Sequence, residues 1–242
     1  MPDRKVVDRH AWIEARLAHL ANEKALTTAR DQLSTERRNL PWLRVDKAYS
    51  FSTNRGRQSL DDLFGDRRQL LIYHFMFGPG WEQGCPSCSF WADNYNGVEA
   101  HLADRETALV AVSTAPLAEI AKYQSRMGWS FEWVSSHGSD FNFDMGVSFG
   151  DDALGPVMGL TVPSGSQGKY NFGTQEFGGD EAPGVSTFIK DDLDNVFLTY
   201  QTFSRGLDMI NGAYHMLDLT ALGRSEENHN FSMSWLRRHD EY

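Results

Sequence analysis

The chain has 242 residues, 40% of them hydrophobic, and its 12% aromatic content includes seven Trp, which is material for a sizeable core and excludes disorder. A formal charge of -10 argues against nucleic acid as a main partner, because phosphate binding needs a basic face. No apolar segment approaches the ~20 residues of a membrane span, and Met1-Pro2-Asp3-Arg4-Lys5 lacks the apolar core of a signal peptide, so a cytoplasmic protein with no membrane partner is expected.

In chain order, residues 8 to 38 read as helix, with Asp8 as N-cap and Ile13, Leu17 and Leu20 as a stripe. Two readings fit this arm. It packs on its own domain as a solvated helix, or it forms a homodimer contact through Trp12 and the leucines. Residues 45 to 64 predict a short strand (Val45 to Phe51), a turn at Asn54-Arg55-Gly56 and a helical turn around Leu60 and Leu63.

The most apolar run follows: Leu70-Leu71-Ile72-Tyr73-His74-Phe75-Met76-Phe77, bounded by Gly78-Pro79-Gly80. It predicts a buried strand, with Leu71, Tyr73, Phe75 and Phe77 on one face and Ile72, His74 and Met76 on the other. After it comes Gly84-Cys85-Pro86-Ser87-Cys88, holding both cysteines of the protein. Trp91, Tyr95, Val98 and Leu102 then recur along one helical face. Pro86 suits the first helical position, where its missing N–H costs nothing, and this leaves Cys85 at the cap.

Farther on, Thr107 to Ser113 predicts a second buried strand, Pro116 to Tyr123 a helix stopped by Gly128, and Phe131 to Ser135 a third strand. Strand and helix in alternation indicate a parallel α/β core with crossover helices. Residues 141–183 are glycine-rich and aperiodic and read as an insertion of loops and short hairpins near a site rim. Within it, Gly165-Ser166-Gln167-Gly168-Lys169 lacks the spacing of a phosphate loop. Val185 to Lys190 and Asn195 to Tyr200 predict an antiparallel pair, and Leu207, Ile210, Tyr214 and Leu217 a last amphipathic helix. His239-Asp240 in the tail reads as a surface ion pair rather than a dyad. The division is a helical N-terminal arm over 1–44, a core domain over 45–223 and a tail over 224–242.

The chemistry follows from where the cysteines fall. A free thiol with a pKa near ~8.5 is only about 3% thiolate at pH 7. A helix N-terminus supplies partial positive charge and free N–H donors that favour the anion. Cys85 is thus the expected attacking thiol, and Cys88 the one that resolves a mixed disulfide. A C-x-x-C at a strand-to-helix junction, with no other cysteine in the chain, is a specific redox signal.

The order strand, C-x-x-C opening a helix, βαβ, hairpin and last helix resembles the thioredoxin fold. More closely, Tyr73 to Trp81, Gly84-Cys85-Pro86-Ser87-Cys88-Ser89-Phe90 and Asn211-Gly212-Ala213-Tyr214-His215 are similar to a bacterial thioredoxin-like family, domain of unknown function 899. The resemblance implies a thioredoxin-like α/β fold with an N-terminal helical extension and a loop-rich insertion before the C-terminal hairpin. It implies substrate contacts at Trp81, Pro86 and Ser87, and at Ser186, in the place thioredoxins give to a cis-proline. Pro183 is read as lying three residues too early for that place. It also implies that His74, where thioredoxins bury an Asp, serves as general base for Cys88. A hydrogen-bonded core histidine is the other reading of that position.

The expected activity is thiol–disulfide exchange on a protein or small-molecule disulfide or thiol, with no cofactor. Two alternatives stand beside it. A peroxiredoxin-like peroxidase would carry P-x-x-x-[ST]-x-x-C, but Glu82 and Gly78 occupy the hydroxyl and proline positions, and an acidic Glu82 would oppose a thiolate. A non-enzymatic binding or redox-sensor protein would leave the cysteines idle. A zinc site is not expected, because the eight histidines include no closely spaced pair.

Overall fold

The computed structural model describes residues 4–149, 169–229 and 231–242. The Gly165–Gly168 stretch therefore lies outside the described residues. The chain divides into two compact units, 1–41 and 42–242. The first holds helix α1 (Arg9–Arg38), capped by Asp8, whose carboxylate accepts from the Ala11 N–H at 2.9 Å. No residue of α1 is buried, and Trp12, Ile13 and Leu17 are exposed.

The second unit is built on one sheet. Its strands are β1 (Leu43–Arg44), β2 (Ser50–Thr53), β3 (Gly56–Ser59), β4 (Gln69–His74), β5 (Thr107–Ser113), β6 (Glu132–Ser135), β9 (Gly184–Lys190) and β10 (Val196–Phe203); β7 (Lys169–Tyr170) and β8 (Gln175–Glu176) form a separate hairpin. The sheet order is β1-β10-β9-β4-β5-β6-β2-β3. β4, β5 and β6 run parallel, as crossover helices require, and β9 returns antiparallel to β4. The helices are α2 (Pro86–Ala92), α3 (Glu99–Ala103), α4 (Leu117–Met127), α5 (Phe141–Asp144) and α6 (Gly212–Asp218). A central β4-α2-β5 unit flanked by the β9–β10 hairpin and followed by α6 is the thioredoxin-like arrangement.

Side-chain alternation along β4 separates two cores. Tyr73, Phe75 and Phe77 join Trp91, Tyr123, Trp129 and Trp133 on one face. Leu70 and Ile72 join Val110, Val112, Phe141 and Phe188 on the other. The aromatic face packs by edge-on and tilted ring pairs, with Phe75 and Trp133 centroids 4.4 Å apart and Phe77 edge-on to Tyr123 at 5.6 Å.

Four expectations are corrected. Val45 to Phe51 is not one strand: Leu43–Arg44 pairs with β10 at one sheet edge and β2 pairs with β6 near the other, so the residues between cross from edge to edge. The helix after the cysteines breaks between Ala92 and Glu99, because the Asn94 amide donates to the carbonyls of Phe90 and Trp91 and ends the ladder. The last helix is likewise split, into a 3-10 segment (Ser204–Ile210) and α6, at Asn211, whose side chain caps the Tyr214 N–H at 3.0 Å. The residues from 224 onward are more than a tail, since Met233 and Trp235 pack on the aromatic core.

Candidate active site

Strand β4 delivers the chain to Met76, and Met76 holds both cysteines by its backbone. Its carbonyl accepts from the Cys85 N–H at 3.1 Å, and its N–H points at the Cys88 Sγ at 3.4 Å. Cys85 is the N-cap of α2 and Pro86 its first residue. Both thiols are free, Cys85 partly exposed and Cys88 buried at 1% exposure, and the two stand 4.1 Å apart.

That asymmetry separates their acidities. The Cys88 thiol donates toward the Cys85 sulfur, the N–H groups of Cys88 and Ser87 add to it, and together they outweigh burial and bring the Cys85 thiol down to about 6. Burial pushes the Cys88 thiol well up, and the Cys85 anion beside it adds to the shift.

The segment Gly84–Cys85 is held a second time from the C-terminal residues. Arg238, only 9% exposed, donates to the Gly84 carbonyl at 2.7 Å and to the Tyr123 hydroxyl at 2.9 Å. Tyr123 bonds Ser89 at 2.8 Å, and Ser89 donates to the Cys85 carbonyl at 2.9 Å.

The structure places the sequence-predicted residues unevenly. Ser87 lines a cavity of 310 Å³ beside the two cysteines, while Pro86 starts α2 without lining that cavity. Trp81 folds back over Gly78, where an added Cβ would lie 2.9 Å from its indole nitrogen, and it too is absent from the cavity wall. His74 and Ser186 are not brought to the cysteines. They sit on the opposite face of the sheet, with His74 Nε2 and Ser186 Oγ 2.8 Å apart and the ring beside Phe141. Burial pushes the His74 imidazole down to about 3, so it is neutral there. The physical reason is strand alternation: the aromatic face of β4 meets α2, and position 74 must then point away.

Three groups near the thiols escaped the sequence reading. Tyr73 is next to Cys88, and its buried hydroxyl has no other partner among the described residues. Pro183 lines the cavity immediately before β9, which starts at Gly184, and Ser186 lies inside that strand. Arg238 had no local signal, lying 154 residues from the carbonyl it holds. Glu82, expected to oppose a thiolate, is exposed. His239 pairs with Asp93 at 2.7 Å while Asp240 binds Arg126, so the two neighbours do not pair with each other. Among the described residues no three metal-ligating side chains converge, and no helix is long and apolar enough to cross a membrane.

No curated protein matches the chain. Among solved structures it is similar to peroxidoxin BcpB from Mycobacterium tuberculosis, at 15% identity and a TM-score of 0.39 over 71% of this chain and 94% of that one. It is similar to the bacterioferritin comigratory protein of Xanthomonas campestris, at 12% identity and a TM-score of 0.40 over 68% of this chain and 88% of that one. A Chlorobium tepidum protein described as a thiol:disulfide interchange protein DsbE aligns at 13% identity and a TM-score of 0.37 over 74% of this chain and 95% of that one. Similarities this low assign no activity. A family model, in contrast, matches residues 1–242 without interruption, and the chain belongs to that family, described as bacterial protein of unknown function (DUF899).

Proposed function

We propose that the protein is a thiol–disulfide oxidoreductase with Cys85 as nucleophile and Cys88 as resolving thiol. The observation that carries this is the asymmetry of the pair: a partly exposed sulfur at a helix start, held near a pKa of about 6, beside a buried sulfur that keeps its proton. At pH 7 a thiol of that acidity is about nine-tenths ionised. It attacks a substrate disulfide, one substrate thiolate leaves, and a mixed disulfide remains on Cys85. Cys88 then gives up its proton to the departing thiolate and attacks the Cys85 sulfur, which releases the second substrate thiol. Tyr73, rather than His74, is in place to hydrogen-bond the Cys88 sulfur as it ionises. The peroxidase alternative would need a hydroxyl side chain three residues before Cys85, where Glu82 is exposed.

The reading extends to a cytoplasmic protein whose lone cysteine pair is kept reduced. It extends to a pair of copies associating through α1, whose exposed Trp12, Ile13 and Leu17 support it; sedimentation of full-length protein and a Trp12→Glu variant tests that part. The central test is the reduction potential of the Cys85–Cys88 pair against a glutathione buffer. A value near about -270 mV identifies a reductant and one near about -120 mV an oxidant. No disulfide at any potential overturns the proposal.

A further inference from the structure

We infer that the cavity beside the cysteines is a substrate site for a small, uncharged, apolar disulfide of roughly two aromatic rings; this rests on the exchange reading of Cys85 and Cys88. Its 310 Å³ is about twice the ~150 Å³ that encloses one benzene, and falls at the small end of ligand pockets.

The walls present mostly apolar surface, and their buried aromatic residues have committed most of their polar atoms. Trp91 donates its indole N–H to the Leu207 carbonyl at 2.8 Å. The Tyr214 hydroxyl donates to Glu226 at 2.7 Å. The Tyr170 hydroxyl donates to the Pro183 carbonyl and accepts from the Ser204 N–H. The arginines at the rim are paired with carboxylates: Asp208 with Arg205 at 2.7 Å and with Arg224 at 3.1 Å, and Arg224 also with Asp218 at 2.7 Å, where it lies over the Tyr214 ring. Glu226 also accepts from the Met233 N–H and the Trp235 indole. Of the buried polar atoms on the lining residues, the Tyr73 hydroxyl is the one with no partner among the described residues besides the Cys88 sulfur next to it.

Such a cavity rewards an apolar body with one acceptor near the sulfurs. A molecule carrying carboxylates or an ammonium, such as glutathione disulfide, would have to strip water from its charges and compete for rim arginines already paired with Asp208 and Asp218. With R as the apolar group, the Cys85 thiolate attacks R–S–S–R, an S–S bond forms to Cys85, and R–S⁻ leaves and takes the Cys88 proton. Cys88 then attacks Cys85 and expels the second R–S⁻, which is protonated from solvent. Two electrons pass from the cysteine pair to the substrate disulfide.

The test uses the full chain, reduced and freed of reductant, against two chromogenic pyridyl disulfides that differ only by two carboxylates. Dithiodipyridine is neutral, and dithiodinicotinate carries the two carboxylates. Each rate is divided by the rate of mercaptoethanol with the same compound, which removes intrinsic reactivity. The expected result is a normalised preference of about tenfold or more for the neutral compound. Calorimetry on a Cys85→Ser, Cys88→Ser double variant should show one saturable site for dithiodipyridine and none for glutathione disulfide. Met233→Glu, at the rim, should weaken that binding by about tenfold.

Equal normalised rates, or a preference for the dianion, overturn the site assignment while exchange by Cys85 stands. Binding to the double variant with no reaction in the native chain overturns exchange and supports the site. Absence of both binding and preference removes the inference altogether.

Discussion

The Arg238 guanidinium donates to the Gly84 carbonyl at 2.7 Å, so a residue near the C-terminal end of the sequence fixes the peptide that precedes the nucleophilic cysteine. Its second bond, to Tyr123, reaches the Cys85 carbonyl by way of Ser89. Bonds from a buried ionised donor are the stronger kind, at ~1.5–3 kcal/mol each. Arg238→Ala is expected to lower stability by about 2–4 kcal/mol. Arg238→Lys should recover less than half of that, since an ammonium cannot span both acceptors in a planar fork. An unchanged denaturant midpoint for the alanine variant would show that the clamp is dispensable.

Gly84 also bears on the site through its lack of a side chain. A Cβ there would lie 2.6 Å from the Phe75 ring and 2.8 Å from the Tyr123 ring. Both rings belong to a buried aromatic core that cannot yield freely. Gly84→Ala should cost about 1–3 kcal/mol by overpacking and slow Cys85 alkylation by shifting the loop. Wild-type stability with wild-type alkylation in this variant is the result that contradicts the argument.

Alkylation distinguishes the two thiols. Cys85 should react with iodoacetamide first, with a rate that rises through a midpoint near pH 6, whereas Cys88 should stay unlabelled until the chain is unfolded. Mass spectrometry of partly labelled protein reports the order. Faster labelling at Cys88 would exchange the assigned roles.

Resolution of the mixed disulfide should depend on Tyr73 and not on His74. Cys88→Ser is expected to accumulate dithiothreitol-reversible complexes with substrate, and Cys85→Ser to accumulate none. Tyr73→Phe should slow release from the mixed disulfide by about tenfold, the worth of one hydrogen bond to a forming thiolate. His74→Asn should leave that step unchanged, its ring being across the sheet. Equal trapping by both serine variants would rule out the mechanism.

Two buried groups give stability a pH dependence of opposite sign. His74 is held down at about 3 by burial, against about 6.5 in the unfolded chain. Its contribution is complete above pH 6.5 and is lost as pH falls toward 3, because the unfolded chain takes up the proton first. Glu181 is pushed up to about 7 by burial, against the hydrogen bonds it receives from Ser148 and Thr114. Its contribution is complete below about pH 4.5 and is lost as pH rises through 7. Chemical denaturation from pH 4 to pH 8 should therefore show a flatter acid limb in His74→Asn and a flatter neutral limb in Glu181→Gln. Parallel curves for native protein and both variants would refute the assignment.

What was legible in the sequence was what local pattern dictates. Alternation over Leu70 to Phe77, Pro86 just inside a helix start and Gly128 at a helix end each rest on a few neighbouring residues, and the strand, the cysteine cap and the α4 stop are found there. The order of elements was likewise enough to imply the parallel core, since crossover handedness and connection length leave few arrangements. Tertiary structure alone decided which face of β4 meets the cysteine helix. Alternation names two faces without saying which is inside the site, and the choice moved the neighbouring role from His74 to Tyr73. It also decided that residues 42–44 and 233–238 return to the sheet and the cysteine loop, through contacts between positions far apart in the chain. Such contacts form only where packing brings distant segments together, and no local propensity encodes them.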